Sequence, residues 1–341
     1  MDEFTNTYRF LPYISEFKRD RDWIDFLQGL VDYYNQDNIT RTIAYQNFFL
    51  LHPEIKWAFL ASMVSRNAGW NMTDLEGRTF KALLNPETRK TLFMTYERAN
   101  WAIFQDAFPQ LLIYHYSTLN EEKMFHLLKE FHVSEFIQGE WEHFWERRDG
   151  TKLVQSQIIN EQNLIQKPVI AHPVYKEKVF RSGLFFIEDH LHFCSVVFPN
   201  RNGDLFGASV HDFRNVDDRI KLGNILYRIL FHEKYHPAFY DFAINVTPTG
   251  SRRDYEVFCA PYLARTNTPS LPEVYDKVTH HWGIQEDWSS AAKLRKSWYS
   301  EPEMPEEPLL TKWFFRKQGQ MKRVARLKSL FKKKKKTAGN D

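Results

Sequence analysis

Apolar residues recur at intervals of three and four along most of this chain, the spacing of helices that each bury one face. Trp23, Phe26, Leu27, Leu30, Val31 and Tyr34 form the first such stripe, and Asp37-Asn38 breaks it before a second helix predicted over residues 39–51. His52-Pro53-Glu54 sets a proline where a first helical turn tolerates one. The stretch that follows, residues 55–64, is apolar around its whole wheel, which predicts a central buried helix. Thr73-Asp74-Leu75-Glu76 has capping-box spacing, and Asn85-Pro86-Glu87 opens a helix expected to reach about Ala107, before Pro109. Further helices are expected over residues 121–131, 134–147, 152–166, 217–235 and 272–281, with Asp149-Gly150 as a turn. Residues 184–198, rich in Phe, Val and Ile between Gly183 and Pro199-Asn200, admit one short β-hairpin. The expected fold class is therefore mainly α, a multi-helix globular body ending in a basic amphipathic helix.

Composition narrows the class further. With 43% hydrophobic and 26% charged residues over 341 positions, the chain can bury a substantial core, which excludes wholesale disorder. Two cysteines, Cys194 and Cys259, are too few for a disulfide framework, so a reducing compartment is expected. Acids at Asp2 and Glu3 stand where a secretory signal has its basic region, and no apolar run approaches the ~18 residues that span a bilayer. A cytoplasmic protein is expected on these grounds.

The net charge of +3 hides a segregation. Between Lys312 and Lys336 lie twelve Lys or Arg and no acid; with these and the terminal Asp341 set aside, the first 311 residues carry −8. Between body and tail, residues 301–308 hold three prolines and four acids, the composition of an extended linker. The expected organisation is a body over residues 1–300, with a sub-boundary near 149–151, the linker, and a tail over 309–341.

In the tail, Leu309, Leu310, Trp313, Phe314, Met321, Val324, Leu327 and Phe331 fall on about 140° of a helical wheel, with Lys312, Arg316, Lys322, Arg323 and Arg326 opposite. Lys332, Lys333, Lys334, Lys335 and Lys336 follow. Such a helix suits the interfacial plane of an anionic bilayer, each lysine adding ~1 kcal/mol of attraction near that surface. The leading expectation is a helical interaction protein that associates peripherally with an anionic membrane at its inner face. Nucleic-acid binding needs the same charges but not the apolar stripe, whereas docking of the tail on its own acidic body needs the stripe and leaves the lysines free.

Three stretches carry a resemblance: Asp37-Asn38-Ile39-Thr40-Arg41-Thr42; His52-Pro53-Glu54-Ile55-Lys56-Trp57 running on to Ser65-Arg66-Asn67-Ala68-Gly69-Trp70-Asn71-Met72-Thr73-Asp74; and Glu97-Arg98-Ala99-Asn100-Trp101. Together they resemble the uncharacterised YppC-like proteins of Bacillus-type bacteria, most densely over residues 37–115 and more weakly at Gly250-Ser251-Arg252-Arg253-Asp254-Tyr255. The resemblance implies a bacterial cytosolic setting and brings no catalytic residue.

Three side-chain constellations are candidates for chemistry. His232-Glu233-Lys234-Tyr235-His236 matches HExxH, in which His232 and His236 on one helical face share a zinc ion and Glu233 activates its water. Pro237 disfavours helix at the second histidine, Lys234 sets a cation beside the metal, and the third ligand would come from Glu256, His190, His192 or His211. Zinc belongs to this alternative reading, a metal-dependent hydrolase; no cofactor is expected otherwise. Ser251, Arg252 and Arg253, on a Gly-Ser turn opening a helix, form a candidate anion site, or an ordinary N-cap with solvated arginines. Arg41, Arg66, Asn67, Asn71, Asp74, Glu97, Arg98 and Asn100 sit in or beside very apolar helices, so they are expected to join in a polar network that locks helix register or lines a pocket.

Overall fold

Asp37 starts the second helix, just after Asn35 closes the first. The Asp37 carboxylate accepts the Thr40 amide at 2.8 Å while the Thr40 hydroxyl accepts the Asp37 amide at 3.1 Å, a reciprocal cap between α1 (Asp20–Tyr34) and α2 (Asn38–Leu51). The computed structural model describes residues 17–172, 195–209, 214–261, 263–281, 283, 286–306 and 308–337, with side chains through Leu330. The apolar-all-round segment becomes α3 (Lys56–Asp74), in which nearly every residue is buried. Packed on α3 are α2, α5 (Pro86–Leu119) and α7 (Gly150–Leu164); α1 lies on α5, α6 (Glu135–Arg147) on α7, and the short α4 (Arg78–Leu83) leads into α5. The antiparallel pair β1 (Ser195–Pro199) and β2 (Leu205–Ser209) faces α3, α8 (Val216–Leu230) and α9 (His236–Asn245), and α10 (Thr311–Thr337) closes the chain. No helix among the described residues is long and apolar enough to cross a membrane.

The mainly helical class stands, with corrections at particular boundaries. The hairpin is centred further on than 184–198: Pro199-Asn200 forms its tip, where Asn200 Oδ1 accepts the amides of Asn202 and Asp204 at 3.0 and 2.9 Å. Residues 184–194 lie outside the described residues. Pro109 does not end α5, which runs on for ten further residues. An interior proline costs a helix ~3 kcal/mol, but Phe108, Pro109, Leu111 and Leu112 are all buried, and their packing outweighs it. Pro53 lies in a turn after α2 rather than in the first turn of α3. Residues 121–131 form only a 3₁₀ segment, Phe125–Phe131. The helix expected over 272–281 stops at Val274, after which the Tyr275 ring stacks on Phe93 at 3.7 Å and Arg98 donates to the His281 carbonyl at 3.1 Å.

A buried chain of polar groups ties α5 to α6 and α7. Gln110 Nε2 and Asn160 Nδ2 both donate to Asp106 Oδ2 at 2.7 Å, Trp141 and Gln157 donate to Gln110 Oε1 at 2.8 Å, and Asn160 Oδ1 accepts from Ser134 at 2.7 Å and Trp288 at 2.9 Å. These partners are neutral, so burial dominates and pushes the Asp106 carboxyl up to about 7. In the unfolded chain this group ionises near ~3.9. Between those values the folded state holds a proton that the unfolded state has released, so stability is greatest at low pH and falls as pH rises towards 7. The melting temperature should therefore drop between pH 5 and pH 8, and Asp106→Asn, which keeps both accepted bonds, should flatten that drop; an unchanged slope would show the carboxyl ionised throughout.

Candidate functional site

The last helix is built into the body over its first half. Before it, residues 308–311 run along the edge of β2: Gly207 donates its amide to the Pro308 carbonyl at 2.9 Å, Leu310 donates to the Leu205 carbonyl at 2.6 Å, and Thr311 Oγ1 accepts the Leu205 amide at 2.9 Å. Met304 packs against the core and the Pro302 carbonyl accepts from Arg228, so the acidic segment is held against the body at these two residues despite its composition. From α10, Phe314 and Phe315 enter the main core, Met321 enters a second core with Phe80, Leu84 and Phe93, and Gln318 and Ala325 are buried on the same side.

The single stripe expected along the tail is thus divided. Phe314 and Met321 are covered, while Val324, Leu327 and Leu330 face outward at 54, 56 and 60% exposure beside the exposed Arg316, Arg323 and Arg326. Trp313 is half-buried, and the side chains of Phe331 and Lys332 to Lys336 lie outside the described residues. Lys322 donates to the Arg265 carbonyl, and Lys328 to the Leu83 carbonyl at the C-terminal end of α4 at 2.7 Å. Among the described residues no ion pair includes a tail cation, so apolar packing and backbone carbonyls hold the helix down, not the acids of the body.

What receives Phe314 is the turn of residues 249–256. Gly250, at φ +72°, and Gly69 of α3 let the two backbones close: a Cβ on Gly69 would stand 3.3 Å from Gly250 Cα, and one on Gly250 2.8 Å from Leu271 Cβ. The approach buries Arg252 completely. Its guanidinium donates to Asp74 Oδ2 at 2.7 Å, Asn71 Oδ1 at 2.9 Å and the Tyr255 hydroxyl at 2.8 Å, and its central carbon lies 5.1 Å from the Phe314 ring centroid. Burial works against this charge, but Asp74 and Tyr255 outweigh it and keep Arg252 protonated. Arg252 is therefore an internal strut with its donors engaged, and the open anion clamp expected on this turn is corrected. Ser251 is buried too, donating to the Thr268 carbonyl at 2.6 Å, whereas Arg253 is exposed and reaches Glu273 at 3.5 Å. The helix that opens here has only four residues, Arg253–Glu256.

The same ion pair corrects the capping box expected at 73–76. Asp74 is taken by Arg252, the Thr73 hydroxyl donates to the Gly250 carbonyl at 2.7 Å, and α4 starts after Gly77 instead. Sequence reasoning noted Asp254 and Tyr255 but not their partners: Asp254 accepts the Trp70 indole at 3.1 Å, and no spacing signal links α3 to a residue 184 positions later.

The remaining network residues divide among several separate contacts. Arg41 pairs with Glu97 at 2.5 Å and donates to Asn35 at 3.1 Å; burial alone would raise Glu97, but Arg41 and His280 hold it below the ordinary carboxylate range. Asn67 clasps β1, donating to the Ser195 carbonyl at 3.3 Å and accepting the Val197 amide at 3.0 Å. Arg66 donates to the Val246 carbonyl beneath the Phe242 ring, and burial pushes it down to about 10. Asn100 donates to the Tyr96 carbonyl within α5, and Arg98 lies over Trp101. Arg41, Asn67, Asn71 and Asn100 also line a cavity of about 170 Å³ between α2, α3, α5, α7 and α8.

His232 and His236 do not share a helical face. Helix α8 ends at Leu230, five residues before the expected 235, and α9 begins at His236. His236 Nδ1 lies 3.0 Å from the Leu230 carbonyl with its ring stacked on Phe231, and His232 Nδ1 accepts the Lys234 amide at 3.2 Å; Glu233 is exposed. Pro237, at the second position of α9, places the break where the HExxH reading needs continuity. Among the described residues no group of three or more His, Cys, Asp or Glu could hold a metal ion; His190, His192 and His211 lie outside them.

Comparison with known proteins places this architecture. Residues 33–314 match a family described as protein of unknown function (DUF2515). The chain belongs to this family. It is also 43% identical over 288 residues to the uncharacterized protein YppC of Bacillus subtilis strain 168, covering 84% of this chain and 89% of that one. No solved structure matches. The family match runs through the acidic segment to Phe314, the residue that Arg252 supports, and leaves out the rest of α10.

Removing one partner of a buried ion pair strands the other charge and costs ~3–5 kcal/mol. Arg252→Ala should lose about that much stability in urea unfolding and speed tryptic cleavage at Arg316 and Lys317, since Phe314 loses its support. Arg253→Ala, on the exposed neighbour, should stay within about 0.5 kcal/mol of wild type. Equal losses in the two variants would refute the strut.

Proposed function

We propose that this protein is a peripheral membrane protein that meets anionic lipid through the outward face of α10, with the helical body held at the membrane surface as an interaction module. The observation that carries the reading is the outward trio Val324, Leu327 and Leu330 among Arg316, Arg323 and Arg326, on a helix that continues into five lysines. Three half-exposed apolar side chains contribute ~1 kcal/mol each on insertion, less than the ~1.5–3 kcal/mol of full burial. Each lysine or arginine near an anionic surface contributes ~1 kcal/mol, so the cations supply the larger share and the apolar trio fixes which face goes down. Association should then be strongly salt-dependent.

Flotation with vesicles tests this directly. The full chain should float with phosphatidylglycerol-containing vesicles at low salt, stay behind with phosphatidylcholine alone, and be released at 0.5 M salt, a level at which the Debye length falls to roughly 4–5 Å. A Val324→Ser, Leu327→Ser, Leu330→Ser variant leaves the docked face intact and should bind several-fold more weakly. Absence of flotation at low salt, or equal binding to duplex DNA by that triple variant and the wild type, would move the tail's cations to a nucleic-acid role.

A further inference from the structure

A cleft of about 810 Å³ lies between α4, the loop of residues 265–269 and α10, within the ~300–1,000 Å³ range of small-molecule sites. Four cations line it from these three segments: Arg78 on α4, Arg265 on the loop, and Lys322 and Arg326 one turn apart on α10. Among the described residues none of the four takes part in an ion pair. Lys322 donates to the Arg265 carbonyl, Arg265 donates to the Cys259 carbonyl at 3.1 Å, and Arg78 and Arg326 are exposed. Like charges gathered in one concavity reinforce a single positive field and draw in an anion.

The acids nearby do not answer these charges. Asp74 is held by Arg252 at 2.7 Å, and Glu76 by Lys81 at 3.0 Å and Arg89 at 3.2 Å, three cations outside the walls of the cleft. Glu256 accepts the Thr266 amide and hydroxyl at 2.7 Å and the Asn267 amide at 3.2 Å, and reaches Lys322 only through space. Burial together with Arg326 outweighs that attraction and pushes the Lys322 ammonium down. Gln318, 3% exposed, lines the same cleft with Nε2 unpartnered, and Arg265 Nε is likewise buried without a partner. Native structures rarely leave two buried donors unpaired beside one cleft, and a ligand rich in acceptor oxygens would satisfy them.

A carboxylate offers two acceptor oxygens in one plane, whereas a phosphomonoester offers three, fanned out tetrahedrally, with a charge of about −1.5 to −2 at pH 7. Donors arriving from α4, the loop and α10 suit the second shape, and guanidiniums bind phosphate through paired N–H bonds. We propose that this cleft binds a small ligand through a phosphomonoester group, held by Arg78, Arg265, Lys322 and Arg326 with Gln318 as a neutral donor. Two sources carry that group, a soluble phosphate ester and the headgroup of phosphatidic acid, the second because the cleft is bordered by Leu330 of the outward trio. The proposal does not rest on the membrane reading, and of the cations invoked there it shares Arg326 alone.

The test uses the full chain in two arms. Titration calorimetry takes glycerol 3-phosphate as the soluble probe, with glycerol and succinate as controls, succinate matching the charge but not the three-oxygen head. Flotation compares phosphatidic acid with phosphatidylglycerol in vesicles of matched surface charge. Glycerol 3-phosphate binding one to one, at least about tenfold more tightly than succinate, would assign a soluble ester, the ratio being equivalent to ~1.4 kcal/mol. Severalfold stronger retention on phosphatidic acid, with the soluble probe no better than succinate, would assign the lipid. Arg78→Gln combined with Arg326→Gln removes two exposed charges that make no ion pair, so the melting temperature should hold while binding falls at least about tenfold. Arg78→Gln alone, away from the docked helix, should weaken binding about threefold and keeps the test decisive if the double variant does not fold. If no vesicle retains the protein, the calorimetric arm decides alone, since it contains no lipid. Glycerol 3-phosphate no tighter than succinate together with equal retention on the two lipids, or a double variant that binds as the wild type does, would overturn the site.

Discussion

A guanidinium with no water around it must be given acceptors for its N–H groups, and the position of Arg252 follows from that constraint. Asp74 and Asn71 come from α3, Tyr255 from the turn itself, and Phe314 from the last helix, so one charge fastens three segments distant in sequence. Such a cluster stabilises little relative to an apolar replacement, because desolvation offsets the attraction. Its effect is on specificity: an alternative seating of α10 that moved Phe314 would uncover the charge. Gly69 serves the same constraint, since a side chain there would press on Gly250 and hold the turn away from α3, while Gly250 lets the turn pass Leu271 at positive φ.

The tail's course comes from two kinds of force acting on opposite faces. Phe314, Phe315 and Met321 lose contact with water on the body side, which favours a docked helix wherever the cations end up. Of the cations, Lys322 and Lys328 donate to the backbone carbonyls of Arg265 and Leu83, while Arg316, Arg323 and Arg326 are exposed. Among the described residues the acids of the body make no ion pair with the tail; they act on it through space, as Glu256 does on Lys322, over a range screened beyond ~8–10 Å.

Helix existence was legible from an apolar stripe at α1, which has no side-chain cap, and at α2 and α6, which Asp37 and Ser134 cap. It was misread where a tertiary partner overrode local preference. Pro109 continues a helix because its neighbours are buried; Thr73 and Asp74 abandon a cap because Gly250 and Arg252 offer buried partners; residues 275–281 leave helix because Phe93, Arg98 and Glu97 take their side chains and backbone. In the polar set of α2, α3 and α5 the need for partners was legible, but the residues meet those partners in separate contacts rather than in one network. Its partners in the 249–256 turn were not legible, because spacing along a chain carries no trace of contacts between segments far apart in it. The tail was legible as amphipathic, but a wheel cannot tell which apolar residues face the body and which face out.

That division of α10 constrains how a membrane would be met. Phe314, Gln318, Met321 and Ala325 lie on one side of the helix, and Val324, Leu327 and Leu330 lie towards the other, as 100° per residue places them. Inserting the outward residues therefore leaves the docked face in place, and no apolar contact with the body has to be given up. A helix that had to peel away would expose Phe314, Phe315 and Met321 and strand Arg252, a cost of several kcal/mol set against cation contributions of ~1 kcal/mol each. Docked association is thus favoured over release. It would hold the body in a fixed orientation on the lipid surface rather than on a loose tether, with α4 and the 265–269 loop beside the membrane-facing helix.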